Sequence, residues 1–115
     1  MQPATKHIIL LCDKNEHAMS WLDLFKEIQA PVDLQVANSL KHLLLLIEKK
    51  LPDIIILFLS KPDNSVITYL KDLRNKDGDI DEIPIFIYTV SPKKEDVEEL
   101  LKTVDSEIRI VNRES

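Results

Sequence analysis

Glycine and cysteine are nearly absent from this sequence, which has one of each among its 115 residues. Loops that cradle phosphate groups use glycine because the backbone has to approach the ligand closely, so a nucleotide or flavin loop is disfavoured. The lone cysteine, Cys12, cannot form an internal disulfide and lacks the companions that a zinc site needs. We therefore expect a reducing compartment, no cofactor, and Cys12 as a small buried apolar residue.

Long hydrophobic runs and an excess of basic charge are also missing. No apolar run approaches the ~20 residues that span a bilayer, and the stretch from Met1 to Lys6 lacks an apolar core behind a basic start. With 15 basic and 20 acidic residues the formal net charge is −5. This balance argues against a broad nucleic-acid surface. We expect a cytoplasmic protein without direct membrane or nucleic-acid contacts.

The composition is that of an ordinary globular chain, with 44% hydrophobic and 30% charged residues. A chain of this length is typical of one domain and is long enough to bury a sizeable core. We therefore predict a single domain over residues 1–115.

Five apolar runs of strand length alternate with amphipathic stretches. The predicted strands are His7 to Cys12, Val32 to Ala37, Asp53 to Leu59, Pro84 to Thr89 and Ile108 to Val111. The third run is uniformly apolar and rich in β-branched residues at its start, which is typical of a strand buried on both faces. We place it in the middle of the sheet.

Apolar residues at three- and four-residue spacing predict four helices between these strands. The first runs from Glu16 to about Gln29, carries Ala18, Leu22, Phe25 and Ile28, and is ended by Pro31. The second is capped by Asn38 or Ser39, carries Leu40, Leu43, Leu44, Ile47 and Leu51, and is stopped by Pro52. The third carries Val66, Ile67, Leu70 and Leu73; the fourth has Ser91 as its cap, Pro92 at its first position, and Val97, Leu100, Leu101 and Val104 on its apolar face.

This alternation predicts an α/β fold, a doubly wound five-stranded parallel sheet with right-handed crossovers. Ligands of such folds bind beyond the carboxyl ends of the strands. Functional side chains are therefore expected near Asp13, Phe58 to Ser60, Thr89 to Val90, and Asn112.

Four stretches carry a family resemblance in their order and spacing. They are ILLCDKN (Ile9 to Asn15), PDIIILFLSKP (Pro52 to Pro62), YLKDLR (Tyr69 to Arg74) and IPIFIYT (Ile83 to Thr89). With them the chain resembles, over essentially its whole length, the receiver domain of bacterial response regulators in two-component signal transduction. The resemblance implies a flavodoxin-like receiver fold with strand order 2-1-3-4-5.

The resemblance also implies a chemistry whose parts are altered here. Receivers accept a phosphoryl group from a histidine kinase on an aspartate, helped by Mg²⁺, a hydroxyl and a lysine. The phosphoacceptor position falls on Phe58, whose ring has no oxygen to attack phosphorus. The acidic pair is reduced to Asp13 followed by Lys14. Thr89 keeps the hydroxyl position, but Asn112 stands where the lysine is expected.

The switching positions are altered as well. The aromatic switch residue of the family falls on Arg109, and the glycine that opens its third helix falls on Val66. We therefore expect a pseudo-receiver that is not an enzyme, with no catalytic residue and no metal site. Its expected function is phosphorylation-independent protein–protein interaction in a signalling phosphorelay, with a histidine kinase or an output protein as candidate partners.

Two alternatives stay open. A conventional phosphorylatable receiver requires the third strand to be shifted by one or two residues, or phosphorylation at a neighbour such as Ser60 or Asp63. A small-ligand binder on a flavodoxin-like fold is the other. The three histidines, His7, His17 and His42, show no spacing of a metal triad or of a pair that activates a nucleophile.

The end of the sequence suggests an interaction surface. Ser115 follows the fifth predicted strand closely, where receivers add a final helix, and we expect this helix to be missing. Its loss is expected to expose the sheet face beside the first helix. An exposed apolar face of this kind marks association surfaces, so we predict a homodimer or a partner that covers it.

Overall fold

The computed structural model describes residues 5–12, 15–29, 31–58, 68, 71, 83–89, 92–102 and 108–111. The strands in these ranges are β1 (Lys6–Cys12), β2 (Val32–Ala37), β3 (Ile54–Phe58), β4 (Ile85–Tyr88) and β5 (Ile108–Val111). The helices are α1 (Asn15–Glu27), α2 (Leu40–Lys49) and α3 (Lys94–Lys102). Of the helix predicted around residue 70, only Thr68 and Lys71 are described, and both are helical.

All the strands are parallel, and they lie in one sheet in the order β2-β1-β3-β4-β5. The predicted parallel α/β sheet and the order 2-1-3-4 of its first four strands are confirmed, and β5 pairs with the free side of β4. Every residue of β3 is buried, as the uniformly apolar run predicted. A strand that is covered on both faces needs no alternation of apolar and polar residues.

The sheet has two apolar faces, which we name after the helices that cover them. In β1 to β4 the even-numbered residues point to the α1 side and the odd-numbered ones to the α2 side, as the period of two requires. In β5 the numbering is shifted by one, because Ile108 pairs with Ile85 and packs on the α2 side. The α1-side core contains Ile8, Leu10, Ile54, Ile56 and Phe86 of the sheet, together with Ala18, Trp21 and Phe25 of α1. The α2-side core contains Ile9, Leu11, Ile55, Leu57 and Ile85, together with Leu43 and Ile47 of α2.

The ends of α1 and α2 show local chemistry that the sequence predicted only in part. Ser39 is the N-cap of α2, and its hydroxyl accepts the backbone N–H of His42 at 3.1 Å. The helix ends at Lys49, so Leu51 does not belong to its buried face and is exposed. After α1, Gln29 adopts a positive φ of 54°, a conformation that glycine usually supplies.

The first turn of α3 begins later than predicted. The Lys93 carbonyl accepts the backbone N–H groups of Asp96 and Val97, and the Asp96 carboxylate in return accepts the Lys93 N–H at 2.8 Å. These bonds make Lys94 the first helical residue. Pro92 therefore lies outside the helix, contrary to the prediction, and Ser91 lies outside the described residues.

The position of α3 departs from the expected fold. Val97 and Leu100 of α3 are fully buried in the α1-side core, and α3 contacts α1. The β1-to-β2 and β4-to-β5 connections cross the sheet in opposite directions, yet their helices share one face. The β4–α3–β5 crossover therefore has the opposite hand to β1–α1–β2 and to β2–α2–β3. The prediction that all crossovers have the same hand is wrong here.

The same placement corrects the prediction of an exposed face beside α1. On that side Ile8, Leu10, Ile54, Ile56, Phe86 and Tyr88 are all buried within one chain. Because α3 packs there, β1, β3 and β4 do not present the bare apolar face from which a homodimer was predicted.

None of the helices in the described part of the chain combines the length and the apolar character that a bilayer crossing requires.

Candidate functional site

The carboxyl ends of three neighbouring strands bring Cys12, Phe58 and Tyr88 into one row. In the Cα register Cys12 of β1 is opposite Phe58 of β3, and Phe58 is opposite Tyr88 of β4. All three belong to the α1-side core and are at most 5% exposed. This is the edge at which parallel α/β sheets bind their ligands. We call these three residues the end row.

An aromatic cluster covers the end row from the side of α1. Trp21, which is fully buried, meets Tyr88 edge to face with ring centroids 4.8 Å apart and an interplanar angle of 76°. Phe25 is a second aromatic neighbour of Trp21, with ring centroids 6.3 Å apart, and Phe86 stacks on Tyr88 at 6.5 Å. Edge-to-face and offset geometries are those that aromatic quadrupoles favour. The end row is thus part of a packed core.

The end row is poorly suited to phosphoryl chemistry. The Phe58 ring offers no oxygen for attack on phosphorus, and Mg²⁺ needs several oxygen ligands in near-octahedral geometry. Across the described ranges, no three side chains of the His, Cys, Asp and Glu types are grouped so that they could hold a metal ion. The described residues therefore do not fit the Mg²⁺ that the receiver resemblance implies.

The other predicted site residues are placed only in part. Thr89 follows Tyr88 directly, is half-buried, and so lies at the same edge of the sheet as Phe58. Arg109 lies in β5 with its Cα opposite that of Phe86. Outside the described residues are Asp13, Lys14, Ser60, Asp63, Val66 and Asn112.

Sequence reasoning overlooked Trp21. The predicted apolar face of α1 used Leu22, whereas the buried face runs through Ala18, Trp21 and Phe25, and Leu22 is only half-buried. A spacing of three and then four residues joins these buried positions, so the helical period allowed this face too. The presence of the only tryptophan in the chain was the signal that favoured it.

A polar cluster lies at the opposite edge of the sheet, where β1 and β3 begin. The backbone N–H of His7 donates to Oδ2 of Asp53 at 2.8 Å, and the N–H of Asp53 donates to the His7 carbonyl at 2.7 Å. Nδ1 of the buried His7 ring is 3.5 Å from Oδ2 of Asp33. The cluster ties the starts of three strands together, and it lies far from the carboxyl ends, where ligands of such folds bind.

Comparison with known proteins agrees with the fold and supplies nothing finer. A solved chain described as a two-component response regulator from Legionella pneumophila has a TM-score of 0.65 to this one. The two share 20% sequence identity over 92% of this chain and 85% of that one. No protein-family model and no curated protein matches the sequence. At this identity the likeness shows a common fold, the α/β receiver-like architecture, and leaves the activity to be argued from the site.

Proposed function

We propose that this chain is a receiver-like signalling module that binds protein partners without being phosphorylated. Two facts support the proposal: the chain has the fold of a response regulator, and the last residue of its central strand is a buried phenylalanine. The fold gives the class of protein, and the residue at the strand end decides which chemistry it can perform.

Phe58 is the observation that carries the proposal. Its ring is 5% exposed and lies between two register neighbours, Cys12 and Tyr88, within one apolar cluster. A carboxylate at the same place would need water or cations to offset its desolvation. The surrounding residues supply an apolar environment instead. This position is therefore built to hold hydrocarbon and does not present a nucleophile to solvent.

The proposal includes the finer expectations from the sequence. The module is not an enzyme, needs no cofactor, acts in the cytoplasm, and takes as partners proteins such as a histidine kinase or an output protein. Asp13, Lys14, Phe58, Thr89 and Asn112 then form a degenerate phosphorylation site, of which only Asp13 and Thr89 are remnants. With a net charge of −5, a nucleic-acid partner is disfavoured.

The test is the intact mass of the protein after incubation with Mg²⁺ and acetyl phosphate, with fragment mapping of any modified residue. We expect no phosphoryl increment. An increment on an aspartate, dependent on Mg²⁺, would refute the proposal and restore the conventional phosphorelay role. Binding of flavin or nucleotide in a parallel thermal-shift screen would favour the small-ligand alternative.

A matched variant shows whether the assay examines the right position. Phe58→Asp places a carboxylate at the end of β3, and Phe58→Leu removes the ring while keeping an apolar side chain. Circular dichroism establishes that each variant is folded before the reaction. Phosphorylation of Phe58→Asp alone would show that the rest of the site is competent and that the phenylalanine is what prevents the reaction.

A further inference from the structure

The strand β2 forms one edge of the sheet. Among the described strands only β1 pairs with it, and the register between the two is unbroken along β2, without a bulge. Edge strands are commonly protected by a lysine, a proline or a bulge, because an edge with none of these pairs readily with another chain. From Val32 to Ala37 the strand contains neither lysine nor proline. This edge is therefore suited to the addition of a strand.

The hydrogen bonds to β1 determine which backbone groups of β2 point outwards. The Pro31 carbonyl accepts the N–H of Lys6, whose Cα is opposite that of Val32. In a parallel pair, the residue opposite such a donor turns its own N–H and C=O to the other side, and this direction alternates along the strand. Val32, Leu34 and Val36 therefore present their backbone donors and acceptors at the edge.

The side chains of β2 alternate in character as well as in direction. Val32, Leu34 and Val36 are half-buried on the α1 side, at the margin of its core. Asp33 and Gln35 point to the α2 side and are exposed. The edge thus combines outward-facing backbone groups with apolar side chains that are only partly covered within one copy. A strand from another chain completes such a combination.

The strand β2 fits a second copy of itself in antiparallel orientation. Opposite residues of an antiparallel pair lie on the same face. With Leu34 opposite Leu34 of the second copy, Val32 is opposite Val36 and Asp33 is opposite Gln35. The three apolar residues then exchange both backbone hydrogen bonds with their opposites. Each Asp33 carboxylate faces an amide, so this register opposes no like charges along β2.

We propose that the chain forms a twofold dimer through β2, centred on Leu34, in which the sheets of the two copies are continuous. The twofold axis is perpendicular to the sheet, so both α1 helices lie on the same face, and α1 contacts β2. The dimer covers Leu24 and Ile28 of α1 further, which are half-buried at the margin of the α1-side core. This surface is not the sheet face from which the sequence predicted a homodimer.

Sedimentation velocity over a range of protein concentrations, at low ionic strength, tests the proposal. We expect a reversible equilibrium between monomer and dimer. Gln35→Lys places an ammonium group opposite the Asp33 carboxylate of the other copy, and Gln35→Glu places a second carboxylate there. Because two such pairs form in each dimer, we expect the dissociation constant to fall about 2- to 30-fold in Gln35→Lys and to rise by a similar factor in Gln35→Glu.

Matched controls make the same changes in net charge on α3, which joins β4 to β5 at the opposite edge of the sheet. Glu98→Gln corresponds to Gln35→Lys, and Lys94→Gln corresponds to Gln35→Glu. All three positions are exposed, and circular dichroism establishes that each variant is folded. We expect both controls to leave the dissociation constant unchanged.

The outcomes decide both the dimer and its register. A monomer at every concentration would overturn the proposal and leave the edge to a strand of a different protein. A dimer that neither change at Gln35 affects, or one that Gln35→Lys weakens, would overturn the register centred on Leu34. Opposite effects of the two changes, with unchanged controls, would support it. No phosphodonor is used, so the mass measurement that tests the proposed function is independent of these results.

Discussion

The indole of Trp21 and the ring of Tyr88 meet edge to face, 4.8 Å apart, and so join α1 to the carboxyl end of β4. Tyr88 is in turn the register neighbour of Phe58. The helix α1, the strand β4 and the central strand β3 therefore share one apolar cluster at the carboxyl edge of the sheet. This cluster encloses the end row in apolar side chains.

The losses in the free energy of unfolding caused by Trp21→Leu and by Tyr88→Leu should together exceed the loss in the double variant. Edge-to-face pairs contribute about 0.5–1.5 kcal/mol beyond the area they bury, and we expect a coupling energy of that size between Trp21→Leu and Tyr88→Leu. Urea unfolding of the wild type, the two single variants and the double variant measures it. Tyr88→Phe keeps the ring and should keep the coupling. A coupling energy of zero would show that the two rings touch without stabilising each other.

Truncation of Phe58 should be among the costliest single changes. Phe58→Ala removes a side chain that is almost fully buried and leaves a cavity, so we expect a loss of about 3–5 kcal/mol in the free energy of unfolding. Met19→Ala, at an exposed position of α1, should change it by no more than about 0.5 kcal/mol. Equal small effects in the two variants would contradict the placement of Phe58 in the core.

Gln29→Gly should stabilise the protein. Gln29 has a φ of 54°, where a side chain with a Cβ is strained and glycine is not. The greater freedom of glycine in the unfolded chain offsets part of this relief of strain, so we expect a net gain of about 0.5–1 kcal/mol in the free energy of unfolding, measured by heat or urea. Gln35→Gly, in the extended strand β2, should instead destabilise the fold. A loss of stability in Gln29→Gly would contradict this backbone conformation.

The hydrogen bond from the His7 backbone N–H to the Asp53 carboxylate should contribute more to stability than the contact between the His7 ring and Asp33. Asp53→Ala leaves the backbone N–H of a buried residue without its acceptor, at a cost of about 1–3 kcal/mol. Asp53→Asn keeps an acceptor oxygen and should recover most of that loss. The Asp33 side chain is 61% exposed, so Asp33→Ala should cost no more than about 1 kcal/mol. The reverse order in urea unfolding would show that the ring contact dominates.

The sequence predicted the local elements well because they depend on local patterns. The uniform apolar run from Ile54 to Phe58 and the spacing of Leu43 and Ile47 fix a strand and a helix wherever the chain places them. The site was predicted in part: Phe58 and Thr89 lie at one edge of the sheet, as expected for residues that follow parallel strands. Arg109, by contrast, was assigned a role by resemblance alone, and that role stays a prediction.

The hydrophobic periodicity could not decide at which residue a helix begins or which of its side chains is buried. The fourth predicted helix was given Ser91 and Pro92 as its start, but the Asp96 carboxylate and the Lys93 N–H form the first turn. Ser91 and Pro92 are preferred start residues by type, whereas the observed start depends on the hydrogen bonds between Asp96 and Lys93, which residue type alone does not fix. The choice between Leu22 and Trp21 as the buried residue of α1 was open for the same kind of reason.

By itself the sequence determined five parallel strands in a doubly wound α/β sheet, with a residue that carries no oxygen at the end of the central strand. The tertiary structure decided that Phe58 is part of a closed aromatic core and that α3 covers the α1 side. An apolar stripe on a helix requires only that the helix be buried against something. The face of the sheet that buries the helix is decided by contacts with residues distant in the sequence. Val97 and Leu100 make such contacts on the α1 side.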